Sequence, residues 1–392
     1  MTHFLIFRSS IGLPDPSLPR AVFLPKLSSL KPELMPEEPE PQEHPLVPFH
    51  DPESPGVSLP PVTRIDVDAI SRQHWLKYRA YKRRQLRISL LLFFATLLST
   101  FLVGSDFTVI SYGAAMLVPE YRQQVDKELQ EYGQKLGITP PTVESLLKSS
   151  VAAGLRYAVP LMLILLCHEM GHFLQSVRNR VPASFPYFIP LPVPPLGTMG
   201  AVILQGRGIA NRRQMFDIAV SGPIAGLVVT LPFLFYGIQT SGFESSQAIR
   251  SSMEFGEPLL VKFLIYWLHG PTPDGSVFVL NGYGFAGWVG VFITAMNLIP
   301  VGQLDGGHIL YTLIGKPAHR VALLVIALGC AAMVATGTYS YVVLILLLML
   351  TGAKHPPTSD DTMPLGTGRS ITGWLTLSFL IIGFTPQPII VQ

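Results

Sequence analysis

The sequence predicts a mainly α, polytopic membrane helix bundle of about six to seven spans, with a short re-entrant β/loop element. Three observations predict it. Charged residues make up only 14% of the 392 and apolar residues 48%, with a mean hydropathy of +0.40, whereas a soluble chain carries nearer a quarter charged. Apolar runs of membrane-crossing length recur after residue 87. Between two of them, "SFPYFIPLPVPPLG" holds too many prolines to be helical.

The elements follow in order. Residues 1–62 hold 14 of the 36 prolines, which block helix and sheet alike, so a disordered or extended tail is expected. Residues 63–87 form a basic juxtamembrane segment that contains "AISRQHWLKYRAYKRRQLR", Ala69 to Arg87, with Trp75, Tyr78 and Tyr81 interleaved. Such a stretch suits an anionic membrane face. Residues 88–392 form the membrane-embedded part. Hydropathy places spans near 88–110, 151–177, 215–238, 284–300, 320–337, 339–352 and 370–386. Residues 259–268 are apolar but too short to cross and suit an interfacial helix. The polar stretch 119–150 between the first two spans reads as helical.

Lys82, Arg83, Arg84 and Arg87 precede the first span, which puts the N-terminus on the cytoplasmic side. Arg178, Arg180, Arg207, Arg212 and Arg213 then fall on the same side by alternation. A multi-pass integral protein, with the bacterial inner membrane as its place, is the expectation. The start "MTHFLIFRSSIGLP" meets proline too early for a secretory leader. A net charge of +3 is too small to suggest nucleic acid. Cys167 and Cys330 both lie in apolar runs, so they read as small buried hydrophobes rather than as a disulfide pair.

The second span carries "CHEMGHFLQ". In His168-Glu169-x-x-His172 the two histidines stand at i and i+4 and share one helix face, so both can reach one ion. Glu169, one residue along, is placed to take a proton from a water at that ion. Zinc suits two imidazoles with a position left open. Three ionisable groups inside five residues of a span are costly unless a function uses them. Counting about 1.5 Å per residue from Val151 sets His168 roughly 25 Å along the helix, near the inner boundary of a ~30 Å core.

A catalytic zinc also needs a third protein ligand. Gln175 and Arg178 occupy the positions where an extended H-E-x-x-H-x-x-G-x-x-H pattern would have Gly and His. No Glu occurs between Glu169 and Glu244, and Asp217 stands at the start of a span. Asp305, in "NLIPVGQLDGGHIL", is the best remaining candidate. As part of an Asp-Gly pair it would equally cap a helix or close a turn. Pro300 breaks the helix before it, and Gly302, Gly306 and Gly307 permit tight backbone turns. Gly222 and Gly226 in "VSGPIAG" have the small-x-x-x-small spacing of close helix contact, and ordinary packing accounts for them. "TMGAVILQ" suits either a re-entrant strand that pairs with an extended peptide or a loop lying on the membrane.

Over about residues 88–369 the chain resembles the site-2 protease family of intramembrane zinc metalloproteases, of the branch without a PDZ domain. The resemblance rests on "HEMGH", "VSGPIAG" and "NLIPVGQLDGGH", in that order, with "GTMGAVI" and "HPPTSDDTMPLG" in support. It implies a zinc metalloendopeptidase acting in regulated intramembrane proteolysis, with one Zn2+ per chain and transmembrane protein substrates. His168, His172 and Asp305 correspond to the metal ligands and Glu169 to the catalytic glutamate. Asn297 corresponds to an asparagine that hydrogen-bonds the substrate or intermediate. Gly197, Thr198, Met199, Gly200 and Ala201 are the expected substrate-binding strand. His308 stands where many members carry Arg or His and is not assigned to the metal. The competing readings are a membrane metal transporter and a non-proteolytic scaffold on the same fold.

Overall fold

The computed structural model describes residues 4–7, 67–105, 113, 116–137, 139–206, 208–246, 253–337, 341–352 and 354–391. The expected tail 1–62 lies outside them except for 4–7. The chain divides into two units, residues 12–80 and residues 1–11 with 81–392. Of the first, only the opening turns of one helix are described.

Ten helices are present among the described residues: α1 (Val67–Gly104), α2 (Pro119–Leu136), α3 (Val143–Arg178), α4 (Arg212–Gln239), α5 (Leu259–His269), α6 (Gly282–Asn297), α7 (Asp305–Ile314), α8 (Ala318–Thr336), α9 (Val342–Thr351) and α10 (Thr367–Gly383). Four stretches are long and apolar enough to cross a membrane: Arg79–Gly104, Val143–Arg178, Arg212–Gln239 and Ala318–Thr336. The chain is an integral membrane protein. The remaining predicted spans correspond to α6, α9 and α10, which are shorter, at 16, 10 and 17 residues. Helix α6 is the buried centre: Phe285, Ala286, Trp288, Val289, Val291 and Ala295 are wholly covered. Helix α5 shows Phe263, Tyr266 and Trp267 outward, as an interfacial helix should. The basic segment is helical from Val67 and runs without a break into the first span.

Local sequence starts the central helices. Thr142 and Ser145 form a reciprocal capping box on α3, and Asn211 with Gln214 forms one on α4. The Asn281 side chain accepts from the Gly284 N–H at 3.0 Å to open α6. Glycines then bring α3, α4 and α6 together. A Cβ on Gly171 would lie 2.5 Å from the Ser221 carbonyl, and one on Gly237 would lie 2.1 Å from the Gly284 nitrogen. Larger residues cannot occupy those crossings.

Two sheets accompany the helices. Strands β2 (Tyr187–Pro190) and β3 (Thr198–Val202) form an antiparallel pair after α3. The other sheet has β1 (Phe4–Phe7), β4 (Gly242–Ser245), β5 (Met253–Gly256), β6 (Ser276–Leu280) and β7 (Ile389–Val391), in the order β4-β6-β1-β5-β7. It was not legible in the sequence, because its strands are three to five residues long and pair across most of the chain. It lies at the end of the bundle where α4 finishes and α6 begins. The opposite, basic end is marked by the hydrogen bond from Lys82 Nζ to the Ala183 carbonyl at 3.1 Å. The expectation of an N-terminus at the basic end therefore fails for residues 4–7. Their backbone is satisfied by pairing parallel to β6 and antiparallel to β5. Cys167 and Cys330 are free, as expected, but only half-buried.

Candidate metal centre

Helix α3 carries His168, Glu169 and His172 into the bundle interior, each less than a tenth exposed. Asp305 opens α7 and reaches them across 133 residues of chain. Its Oδ2 lies 3.2 Å from His168 Nε2 and 3.3 Å from His172 Nε2, and the two nitrogens are 3.3 Å apart. A tetrahedral ion with bonds of about 2.0–2.1 Å separates its ligands by roughly 3.3–3.4 Å. The three side chains therefore outline one face of such a tetrahedron, with the fourth corner open. Among the described residues they are the group of His, Cys, Asp and Glu side chains that could hold a metal ion.

The support behind the ligand side chains is consistent with this. The His172 Nδ1–H donates to the Ile218 carbonyl at 2.8 Å. A carbonyl only accepts, so neutral His172 presents a bare Nε2 toward a carboxylate. The carbonyl also fixes the ring orientation, the usual outer-shell arrangement for a ligating histidine. Asn297 Nδ2 lies 3.3 Å from His168 Nε2.

The centre opens onto a pocket of about 190 Å³. Glu169 lines it beside the three ligand residues, with Asn297 and His308. Ala201, Val202, Ile203 and Gln205 form another part of its wall. Of the five residues expected to bind substrate, only Ala201 reaches that wall. Thr198 is buried and donates its hydroxyl to the Ile189 carbonyl at 3.0 Å. The Gly197 carbonyl accepts from Ser99 Oγ at 2.6 Å, which ties the hairpin to α1. Met199 points outward at 60% exposure. Gly200 has φ +92, which favours glycine.

One sequence reading changes and another is kept. Gly222 and Gly226 do more than pack helices: a Cβ on Gly222 would stand 2.0 Å from His172 Nε2, and one on Gly226 would stand 3.0 Å from His168 Nδ1. They make room for the two rings. Asp217, set aside as a ligand, is engaged elsewhere. Arg369 donates to both of its carboxylate oxygens, at 2.7 and 2.9 Å. The Ile218 carbonyl was missed, since backbone groups leave no mark in a sequence. His355 was missed as well. It hydrogen-bonds His308, and burial, then the neighbouring His308 ring, pushes it down to about 3.

The comparisons with known proteins fall on this same region. Residues 156–336 match the family model for peptidase family M50. The chain is 31% identical over 239 residues to the probable zinc metalloprotease EGY1, chloroplastic, of Oryza sativa subsp. japonica, covering 60% of this chain and 39% of that protein. It is 29% identical over 260 residues to the protein of the same name from Arabidopsis thaliana, covering 64% and 46%. It is 29% identical over 238 residues to the probable zinc metalloprotease EGY2, chloroplastic, of Arabidopsis thaliana, covering 60% and 42%. The chain thus spans less than half the length of these curated relatives. Their names place them in chloroplasts, so the bacterial inner membrane expected from the sequence is not supported. No solved structure matches the chain.

Proposed function

We propose that the chain, which matches the model of peptidase family M50 through residues 156–336, is a member of that site-2 protease family and an intramembrane zinc metalloprotease cleaving peptide bonds within or near transmembrane helices. The observation that carries this reading is the triangle of His168, His172 and Asp305 with edges of 3.2–3.3 Å, beside a buried glutamate. Two imidazole nitrogens and a carboxylate oxygen suit zinc, one ion per chain. Bound there, zinc supplies a Lewis acid that polarises the scissile carbonyl and acidifies an attacking water.

The protein does the rest. Glu169 takes the water proton and returns a proton to the leaving amine. The Asn297 amide, on the same side as His168 Nε2, hydrogen-bonds the substrate carbonyl. Substrate backbone inside a bilayer needs partners once its helix unwinds. Strand β3 is paired on one edge by β2, and we assign its other edge, Gly197–Ala201 continuing to the pocket wall, to an extended substrate segment. Water reaches the centre from the basic end of the bundle, the cytoplasm-like side by the distribution of Lys and Arg. Residues 88–392 then constitute the membrane-embedded protease part. A transporter would need metal ligands along a path, and one such cluster is found among the described residues.

The test is a pair of variants measured for zinc content and cleavage of tagged transmembrane segments in detergent. Glu169→Gln retains zinc and loses at least ~100-fold in cleavage rate. Asp305→Ala loses zinc. Normal cleavage by Glu169→Gln would overturn the mechanism.

A further inference from the structure

One polar cluster is built into the pocket wall and has no role in the mechanism above. His308 lies on α7 one turn beyond Asp305 and lines the pocket. Its Nδ1 shares a hydrogen bond with His355 Nε2 at 2.5 Å, the rings meeting edge to face. His355 belongs to the connector between α9 and α10, which is fastened on several sides. Tyr311 stacks on the His355 ring with centroids 4.3 Å apart and donates its hydroxyl to Asp361 Oδ2 at 2.7 Å. Arg212 donates from Nε to the Thr312 carbonyl at 2.6 Å, while its backbone N–H donates to the Asp360 carbonyl at 3.2 Å. His319 Nε2 donates to the His355 carbonyl at 3.2 Å. His355 itself is 6% exposed.

Proton accounting gives the pair a direction. The Pro356 carbonyl accepts from His355 Nδ1 at 2.5 Å, so that nitrogen carries the hydrogen. The Nε2 of neutral His355 is then bare and accepts from His308 Nδ1–H. The remaining nitrogen of neutral His308 keeps its lone pair, on the ring edge away from His355. Two imidazoles linked in series, His355 buried and His308 half-buried, cost more to place there than two apolar side chains would. Such a chain ending in a catalytic pocket is a device for aiming its last member.

We propose that His308 is a substrate-facing hydrogen-bond acceptor of this centre, taking a backbone N–H of the extended peptide, and that His355 is its positioning residue. The connector thereby becomes part of the active site through His308. This inference rests on the peptidase reading, and the experiment separates the two.

Wild-type full chain and variants are purified in detergent and loaded with zinc. They are assayed on a tagged transmembrane segment chosen because the wild type cleaves it and Glu169→Gln does not. His355→Leu is expected to lower kcat/KM about tenfold, the worth of one aligned hydrogen bond, at unchanged zinc content. His308→Leu should do the same, and the double variant should be no worse than either. His355→Gln, whose amide oxygen still accepts from His308, should recover most of the loss, which a purely structural role for the ring would not allow. Multiplying losses in the double variant, equal loss in the Gln and Leu variants, loss of zinc in His355→Leu, or wild-type kinetics in that variant each overturn the inference. A wild-type chain that holds zinc yet cleaves no segment in a Glu169-dependent way overturns the peptidase reading and this role together.

Discussion

Gly222→Ala should disable the centre from outside the ligand set. The added methyl would lie 2.0 Å from His172 Nε2 and 2.4 Å from both neighbouring ring carbons, where ordinary contact begins at 3.4 Å. The shortfall, 3.4 less 2.0, is about 1.4 Å, far beyond what bond-angle flexing absorbs. Relief can come in two ways. The ring can swing away, which breaks the bond from Nδ1–H to the Ile218 carbonyl at 2.8 Å. Alternatively α4 can back off, and since Ile218 rides on α4, the same bond stretches. Losing an outer-shell partner alone weakens metal binding 10–100-fold. Here the ligand nitrogen is displaced too, so the zinc affinity of stripped protein should fall by at least ~100-fold. Titration against a competing chelator measures it. Gly226→Ala supplies the internal control, because its methyl would meet His168 Nδ1 at 3.0 Å and needs only a few tenths of an ångström. Its affinity should fall less than about tenfold. A Gly222→Ala protein with zinc affinity and cleavage within about twofold of wild type would refute the reasoning, as would Gly226→Ala proving the more damaging.

Arg369→Gln removes a bidentate pair with Asp217, but the arginine side chain is 41% exposed. Thermal unfolding in detergent should show a loss on the order of 1 kcal/mol or less, with zinc content unchanged. The folded pKa of His355, about 3, stands below its ordinary 6.5. The unfolded chain therefore binds the extra proton between those values, and the stability contribution is full above pH 6.5 and lost as pH falls toward 3. The unfolding midpoint of His355→Gln should accordingly fall less steeply than that of wild type between pH 7 and pH 5. Gly306→Ala places a methyl 2.0 Å from the Leu298 carbonyl, so it should open the turn before α7 and cost zinc without changing any ligand.

How much of this was legible beforehand depends on how local the signal is. The i, i+4 histidines and the four long apolar runs are written within single helices, so spacing and hydropathy reveal them. The capping pairs Thr142–Ser145 and Asn211–Gln214 are equally local. Asp305 was reachable by eliminating other acids, and its alternative roles in a cap or turn stayed open until the distance to His168 was in hand. The five-stranded sheet was not legible, because Leu5 pairs with both Phe255 and Phe278, and nothing within residues 4–7 announces partners so distant. The glycines illustrate the limit best. Their spacing discloses that helices approach closely. It does not disclose that the surface approached is a pair of imidazoles, which depends on the rotation of α4 about its axis.

The break between α6 and α7 is the feature on which the centre turns. Asn297 and Asp305 are eight residues apart, and on an unbroken helix they would be separated by roughly 12 Å along the axis. Yet Asn297 Nδ2 is 3.3 Å and Asp305 Oδ2 3.2 Å from the same atom, His168 Nε2. The chain must therefore fold back on itself between them. Gly302 at φ +57 makes the reversal, and Gly306 and Gly307 let α7 begin against the Leu298 and Gly302 carbonyls, at distances a side chain would forbid. Irregular backbone at membrane depth is tolerated only when protein surrounds it, and this segment complies. Val301 is fully buried, the Leu298 and Ile299 N–H groups find carbonyls in the last turn of α6, and the Val301 and Leu304 N–H groups find carbonyls within the turn. The apolar run "NLIPVGQLDGGHIL" is thus too short and too bent to serve as a span because it serves as a ligand carrier. The same bend that costs the bundle a regular helix brings a carboxylate and an amide to one imidazole nitrogen.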